Sequence, residues 1–116
     1  MMKGVVMDNT KGISNFRYAC KLYNIQKKWL SRYEAITQIN ESNDSVETQR
    51  YFIMKNNVLF VEKQFAEIER KHGIFAKQLL WECLVEGRKQ EELSQIYGIA
   101  LRTIQRRFHE WLKVVS

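Results

Sequence analysis

The chain has 116 residues, no proline, five glycines and a formal net charge of +6, with 45% hydrophobic residues. That length allows one domain, or a small domain with a helical extension, and the abundance of Leu, Ile, Glu, Lys, Gln and Arg without proline points to an all-α protein. Ordinary apolar content excludes general disorder, no apolar run approaches the roughly 18 residues of a membrane span, and the chain does not open on a signal-peptide pattern, so a cytoplasmic setting is expected.

The positive charge is unevenly spread. Seven Lys and Arg stand against two Asp and Glu over Met1–Asn40 (net +5), five against six over Glu41–Gly73 (net −1), and seven against five over Ile74–Ser116 (net +2). A small basic protein with charge at its two ends suits nucleic acid, with a membrane surface as the competing partner. Cys20 and Cys83 lie far apart without metal-ligand spacing and read as reduced, buried thiols.

Met1–Ile13 shows no clear period and is expected to fray or drape over the surface. Ser14 or Asn15 can cap a long helix running from about Phe16 to about Ile39. This helix carries two apolar stripes, one of Tyr18, Leu22, Ile25, Trp29, Ile36 and Ile39, the other of Phe16, Cys20, Tyr23, Leu30 and Tyr33. Two such faces call for two packing partners. On the remaining side Arg17, Lys21, Lys28 and Arg32 project together, a stripe that reads first as wet surface and second as a phosphate contact.

Asn40–Ser45 is a polar break, and Asp44 with Glu47 can form a capping box. A second long helix then runs to about His72. Within it Tyr51, Met54, Val58, Val61, Phe65 and Ile68 alternate in threes and fours, a short coiled-coil seam expected to serve oligomerisation. Gly73 is placed to end this helix, and Ile74–Glu86 forms a third, with Phe75, Leu79, Leu80, Cys83 and Leu84 inward.

Gln90–Leu112 reads as a helix-turn-helix. Its first helix, Gln90–Tyr97, sets Leu93, Ile96 and Tyr97 inward, Gly98 makes the turn and Ile99 plugs it. The second helix starts near Leu101, with Ile104, Phe108, Trp111, Leu112 and Val115 on its inner face. Its opposite face carries Arg102, Thr103, Gln105 and Arg106, side chains able to bond base edges or phosphates. From these residues alone, an ordinary αα-corner with a solvated basic face is the competing reading. Trp29, Trp81 and Trp111 lie on or near apolar stripes and read as core residues. His72 ends a helix, where its charge complements the dipole, and His109 stands near the second helix's core, within reach of a phosphate.

The segment LLWECLVEGRKQEELSQIYGIALRTIQRRFHEWL resembles region four of bacterial sigma factors, a module also found in small phage transcription regulators of the ArpU and RinA type. The resemblance covers about the last 40 residues. It rests on Gly87 before the positioning helix, Glu91-Glu92-Leu93 at its start, Gly98-Ile99 at the turn, and Thr103-Ile104 with Arg106-Arg107 beyond it. It implies that Arg102, Thr103, Gln105 and Arg106 face the major groove, with Arg107 and Lys113 on phosphates. Lys89, Gln90 and the amides opening the positioning helix are then placed to hold a further phosphate. The chain departs from the family pattern at Ala100, where a small hydroxyl residue usually caps the recognition helix, and at Ser94, often alanine.

The expected architecture is an N-terminal long-helix hairpin over 1–73, for support and oligomerisation, packed on a C-terminal trihelical helix-turn-helix unit over 74–116. The second unit is small for independent stability and is expected to dock on the hairpin. The expected function is sequence-specific DNA binding in transcriptional control, phage or mobile-element encoded, by a homodimer on double-stranded DNA, with RNA polymerase as a further candidate partner. A DNA-packaging protein of the small-terminase kind and a helical adaptor that binds RNA polymerase or another protein are the alternatives. Without a phosphate-binding glycine loop, a nucleophile motif or a metal constellation, no enzyme activity, cofactor or metal is expected.

Overall fold

The computed structural model describes residues 10–37 and 46–115. Its helices are α1 (Thr10–Thr37), α2 (Val46–His72), α3 (Ile74–Leu84), α4 (Gln90–Tyr97) and α5 (Leu101–Trp111), closed by a 3-10 turn at Leu112–Val114. The protein is all-α: no strand occurs among the described residues, and no helix there is long and apolar enough to cross a membrane. The polar break Asn40–Ser45, with the capping box expected of Asp44 and Glu47, falls outside what is described, as do residues 1–9 and Ile39.

α1 and α2 form an antiparallel hairpin. Phe16, Ala19, Cys20, Tyr23 and Leu30 of α1 are buried with Val58, Val61, Phe65 and Ile68 of α2. Helix α1 thus uses one of its two stripes. Tyr18, Ile25 and Ile36, from the other, stay in solvent, and Leu22 and Trp29 are half-buried. Helix α1 also begins at Thr10 rather than near Phe16, so Ser14 and Asn15 are exposed interior residues and not caps. The extra turn brings Ile13 against the core, a gain that outweighs the few tenths of a kcal/mol that Ser or Asn costs inside a helix.

The seam expected to join copies of the chain is internal. Val58, Val61, Phe65 and Ile68 are buried by α1, α3 and the C-terminal turn, with Tyr51 and Met54 half-buried beside them. Side chains already out of water gain nothing further from a second copy, so Val58, Val61, Phe65 and Ile68 serve the chain's own core in this structure.

Two reciprocal clamps fix the hairpin register. Glu62 of α2 accepts hydrogen bonds from the Tyr23 hydroxyl (2.5 Å) and Lys27 Nζ (2.9 Å) of α1. Glu34 of α1 accepts them from the Tyr51 hydroxyl (2.6 Å) and Lys55 Nζ (2.9 Å) of α2. In each case a tyrosine and the lysine four residues on, neighbours on one helix face, converge on a carboxylate of the other helix. Between the clamps, Asn57 Nδ2 donates to Gln26 Oε1 at 2.6 Å.

Helix α3 lays Ala76, Leu79, Leu80 and Leu84 on the hairpin. Its Trp81 meets Tyr23 edge-on at 5.2 Å and Phe65 at 5.0 Å, joining all three helices at one point. Phe75, expected inward, is 41% exposed, because the turn at Gly73 (φ 97°) sets Ala76 against α2 and swings Phe75 onto Tyr97, ring edge to face at 5.6 Å. At the far end Leu112 and Val115 are buried, and the closing turn packs on α2. One continuous apolar cluster therefore runs from Phe16 to Val115.

The packing predicts that Phe65→Ala, which removes a ring lying 5.2 Å from Phe16 and 5.0 Å from Trp81, costs about 3–5 kcal/mol in urea unfolding. Ile25→Ala on the exposed stripe should change stability by less than about 0.5 kcal/mol. The clamps predict a pH effect. Tyr23 and then Lys27 hold the Glu62 carboxyl below its ordinary 4.5, and Lys55 and then Tyr51 do the same for Glu34. A carboxyl that titrates lower when folded contributes fully above its unfolded value and loses that contribution as pH falls through the folded one. Thermal midpoints should accordingly fall between about pH 5 and about pH 3, and Glu62→Gln or Glu34→Gln should flatten that slope.

Candidate nucleic-acid interface

Helix α4 is seated through Leu93, which is fully buried, and Tyr97, half-buried. The Tyr97 hydroxyl donates to Glu82 Oε2 of α3 at 2.7 Å, which raises its pKa, and it accepts from Gln78 Nε2 at 3.3 Å. Arg88 Nε approaches the same carboxylate at 3.8 Å. Ile96, expected inward, is 55% exposed. Ile99 after the turn is half-buried against the core instead.

The turn depends on Gly98, whose φ of 67° and ψ of 32° lie in the left-handed region. A Cβ there would meet nothing within 4 Å, so the demand for glycine comes from the backbone alone. Ser94 closes the turn from both sides. Its carbonyl accepts the amides of Gly98 and Ile99, and its hydroxyl donates to the Ile99 carbonyl at 2.6 Å. An alanine at this position could not make the last bond. Nothing in the local pattern marked Ser94 for this role, since its acceptor lies beyond the glycine.

Helix α5 begins at Ala100, whose extended backbone (φ −58°, ψ 139°) has the shape of a cap residue but no side chain to act as one. Ile104 and Phe108 anchor it inward, and the line continues through Leu112 and Val115. Arg102, Gln105, Arg106, Arg107 and His109 are exposed, and Thr103 is half-buried. Arg102, Arg106 and His109, at offsets of four and seven, form a row along the outward face, flanked by Gln105. His109 thus belongs to the outer row rather than to the edge of the core. None of Arg102, Arg106 and Arg107 is ion-paired among the described residues.

The remaining expected contacts are placed less favourably. Lys113 is exposed at the end of the same row but lies 3.4 Å from Glu110, and this surface pair must open before Lys113 meets a phosphate. Lys89 is exposed and Gln90 half-buried. The Lys89 amide donates to Glu92 Oε1 at 2.9 Å, and Glu91 adds a second carboxylate to the first turn of α4. A carboxylate of the protein therefore already takes one of the amides expected to cradle a phosphate there.

Both cysteines are free thiols held neutral by burial, which pushes Cys20 up to about 12 and raises Cys83, against a smaller opposing effect of Arg17. Among the described residues no group of three or more His, Cys, Asp or Glu could hold a metal ion. Comparison with protein-family models, with curated proteins and with solved structures finds no match to this chain.

The geometry of the turn predicts opposite effects at neighbouring positions. Ala100→Ser, which supplies the missing cap on a backbone already shaped for it, should stabilise the fold by about 1 kcal/mol in denaturant unfolding. Gly98→Ala should destabilise it by about 1–2 kcal/mol through the left-handed backbone alone.

Proposed function

We propose that the chain is a sequence-specific DNA-binding transcription regulator that lays α5 in the major groove. The observation that carries this reading is the outward face of α5. Arg102 and Arg106 stand one turn apart with Gln105 beside them, exposed and free of ion pairs among the described residues, on a helix fixed from behind by Ile104, Phe108, Leu112 and Val115. An arginine in this setting can take O6 and N7 of guanine together, and a glutamine can take N6 and N7 of adenine. Cations beside them supply the sequence-independent attraction to phosphate, a role given to Arg107, to the Lys89 side chain and, once its pair with Glu110 opens, to Lys113. The resemblance of the last 40 or so residues to sigma region four supports the same assignment, and the helix-turn-helix geometry around Gly98 agrees with it.

The reading separates two classes of residue by their effect on binding. Arg102→Ala and Arg106→Ala should each weaken binding to the preferred site by roughly 1–3 kcal/mol and relax specificity, with unfolding curves unchanged. Lys113→Ala should weaken binding evenly over all sequences and reduce the slope of affinity against salt. Both are measured by fluorescence anisotropy on duplexes at several salt concentrations. A chain lacking both arginines that still binds its site normally would remove α5 as the reading helix.

A further inference from the structure

Helix α1 leaves an apolar ridge in solvent. Tyr18, Ile25 and Ile36 are 65, 72 and 76% exposed, and Leu22 and Trp29 lie half-buried between them. Their positions advance by four, three, four and seven residues, so they line one side of the helix over about 27 Å at 1.5 Å per residue. Trp29 is held flat against Tyr33, the rings 4.8 Å apart and 11° from parallel. One strip over, Arg17, Lys21, Lys28 and Arg32 form a second exposed row with offsets of four, seven and four. Sequence neighbours such as Arg17 and Tyr18, or Lys28 and Trp29, stand about 100° apart around the axis, so the two rows run side by side.

The charges of α1 divide by the direction they face. Lys27 and Glu34, toward α2, are paired with Glu62 and Lys55, each at 2.9 Å. Arg17, Lys21, Lys28 and Arg32, beside the apolar ridge, have no ion pair among the described residues. A ridge of large apolar side chains edged on one side by unneutralised cations has a definite complement. That complement is a helix with its own apolar stripe and a row of carboxylates along one flank.

We propose that this face of α1 is the docking site for an acidic amphipathic helix of a partner protein. A second copy pairing α1 against α1 lacks the required charge, because the one carboxylate within α1, Glu34, is already held by Tyr51 and Lys55. Nucleic acid would answer the four cations but leave Tyr18, Ile25 and Ile36 without an apolar partner. A membrane surface suits a helix with cations on both sides of its apolar strip, whereas here α2 occupies one side. The site is separate from α5, and its test does not depend on what α5 reads.

The test uses the full chain and a fluorescein-labelled peptide designed as an acidic amphipathic helix, with leucines in heptad positions and glutamates on the flanks. Saturable binding at micromolar concentration is expected, weakened about tenfold or more by Lys28→Glu with Arg32→Glu and, separately, by Ile25→Ala with Ile36→Ala. The Lys28→Glu, Arg32→Glu chain should in turn prefer the same peptide carrying lysine in place of glutamate. All four positions are exposed, so thermal midpoints should be unchanged, and the paired variants give independent readings if one is destabilised. Equal binding of a peptide of identical composition with its leucines scattered around the helix would overturn the proposal. So would binding indifferent to both pairs of substitutions, or an α1 face that takes phosphatidylserine vesicles or random duplex DNA and not the peptide.

Discussion

The structure depends on one buried line along α2. Val58, Val61, Phe65 and Ile68 are the surface on which α1, α3 and the C-terminal turn all pack. Helix α3 offers only Ala76, Leu79, Leu80 and Leu84, and the closing turn little beyond Leu112 and Val115. By sharing α2 they become one core, and burial of one large apolar side chain, at roughly 1.5–3 kcal/mol, counts for every element that touches it. Helix α5 is consequently held at both ends. Its start is set by the Ser94–Gly98–Ile99 turn, and its end is drawn back to α2 through Leu112 and Val115.

Much of this arrangement was legible in the sequence, and the misreadings share a physical origin. Periodicity finds the apolar faces of helices, and glycine with its positive φ finds the breaks. The five helices, the stops at Gly73 and Gly98, and the inner line of α5 follow from those signals. Periodicity does not say which face meets which partner. Both stripes of α1 look equally fit for burial, and the Phe16–Leu30 stripe wins because it faces α2, while Tyr18, Ile25 and Ile36 stay outside. For the same reason a heptad seam on α2 reads as an intermolecular zipper until the chain is seen to fold back on it. Phe75 and Ile96 fail differently, since both lie within a turn of a break whose exact geometry decides the facing.

In the candidate interface, the exposed residues Arg102, Gln105 and Arg106 stand where helical spacing puts them, because α5 is regular and its inner face unambiguous. The half-burial of Thr103, the Lys113–Glu110 pair, the capture of the Lys89 amide by Glu92 and the hydroxyl bond of Ser94 were not legible. Each is decided by a side chain choosing one neighbour among several. The Glu62 and Glu34 clamps join residues 39 and 17 apart in sequence, and their repeated tyrosine-to-lysine spacing gains meaning only once the hairpin brings a carboxylate opposite. Among the described residues, Lys27, Glu34, Lys55 and Glu62 are neutralised where α1 meets α2, while Arg17, Lys21, Lys28 and Arg32 on α1 and Arg102, Arg106 and Arg107 on α5 carry no ion pair.

Selection of bound fragments from a pool of random duplex DNA by the full chain addresses recognition by α5 most directly. Progressive enrichment of one short motif, weakening steeply as salt is raised, is the expected result. A pool that remains indistinguishable from its input at low salt would contradict DNA reading by this helix.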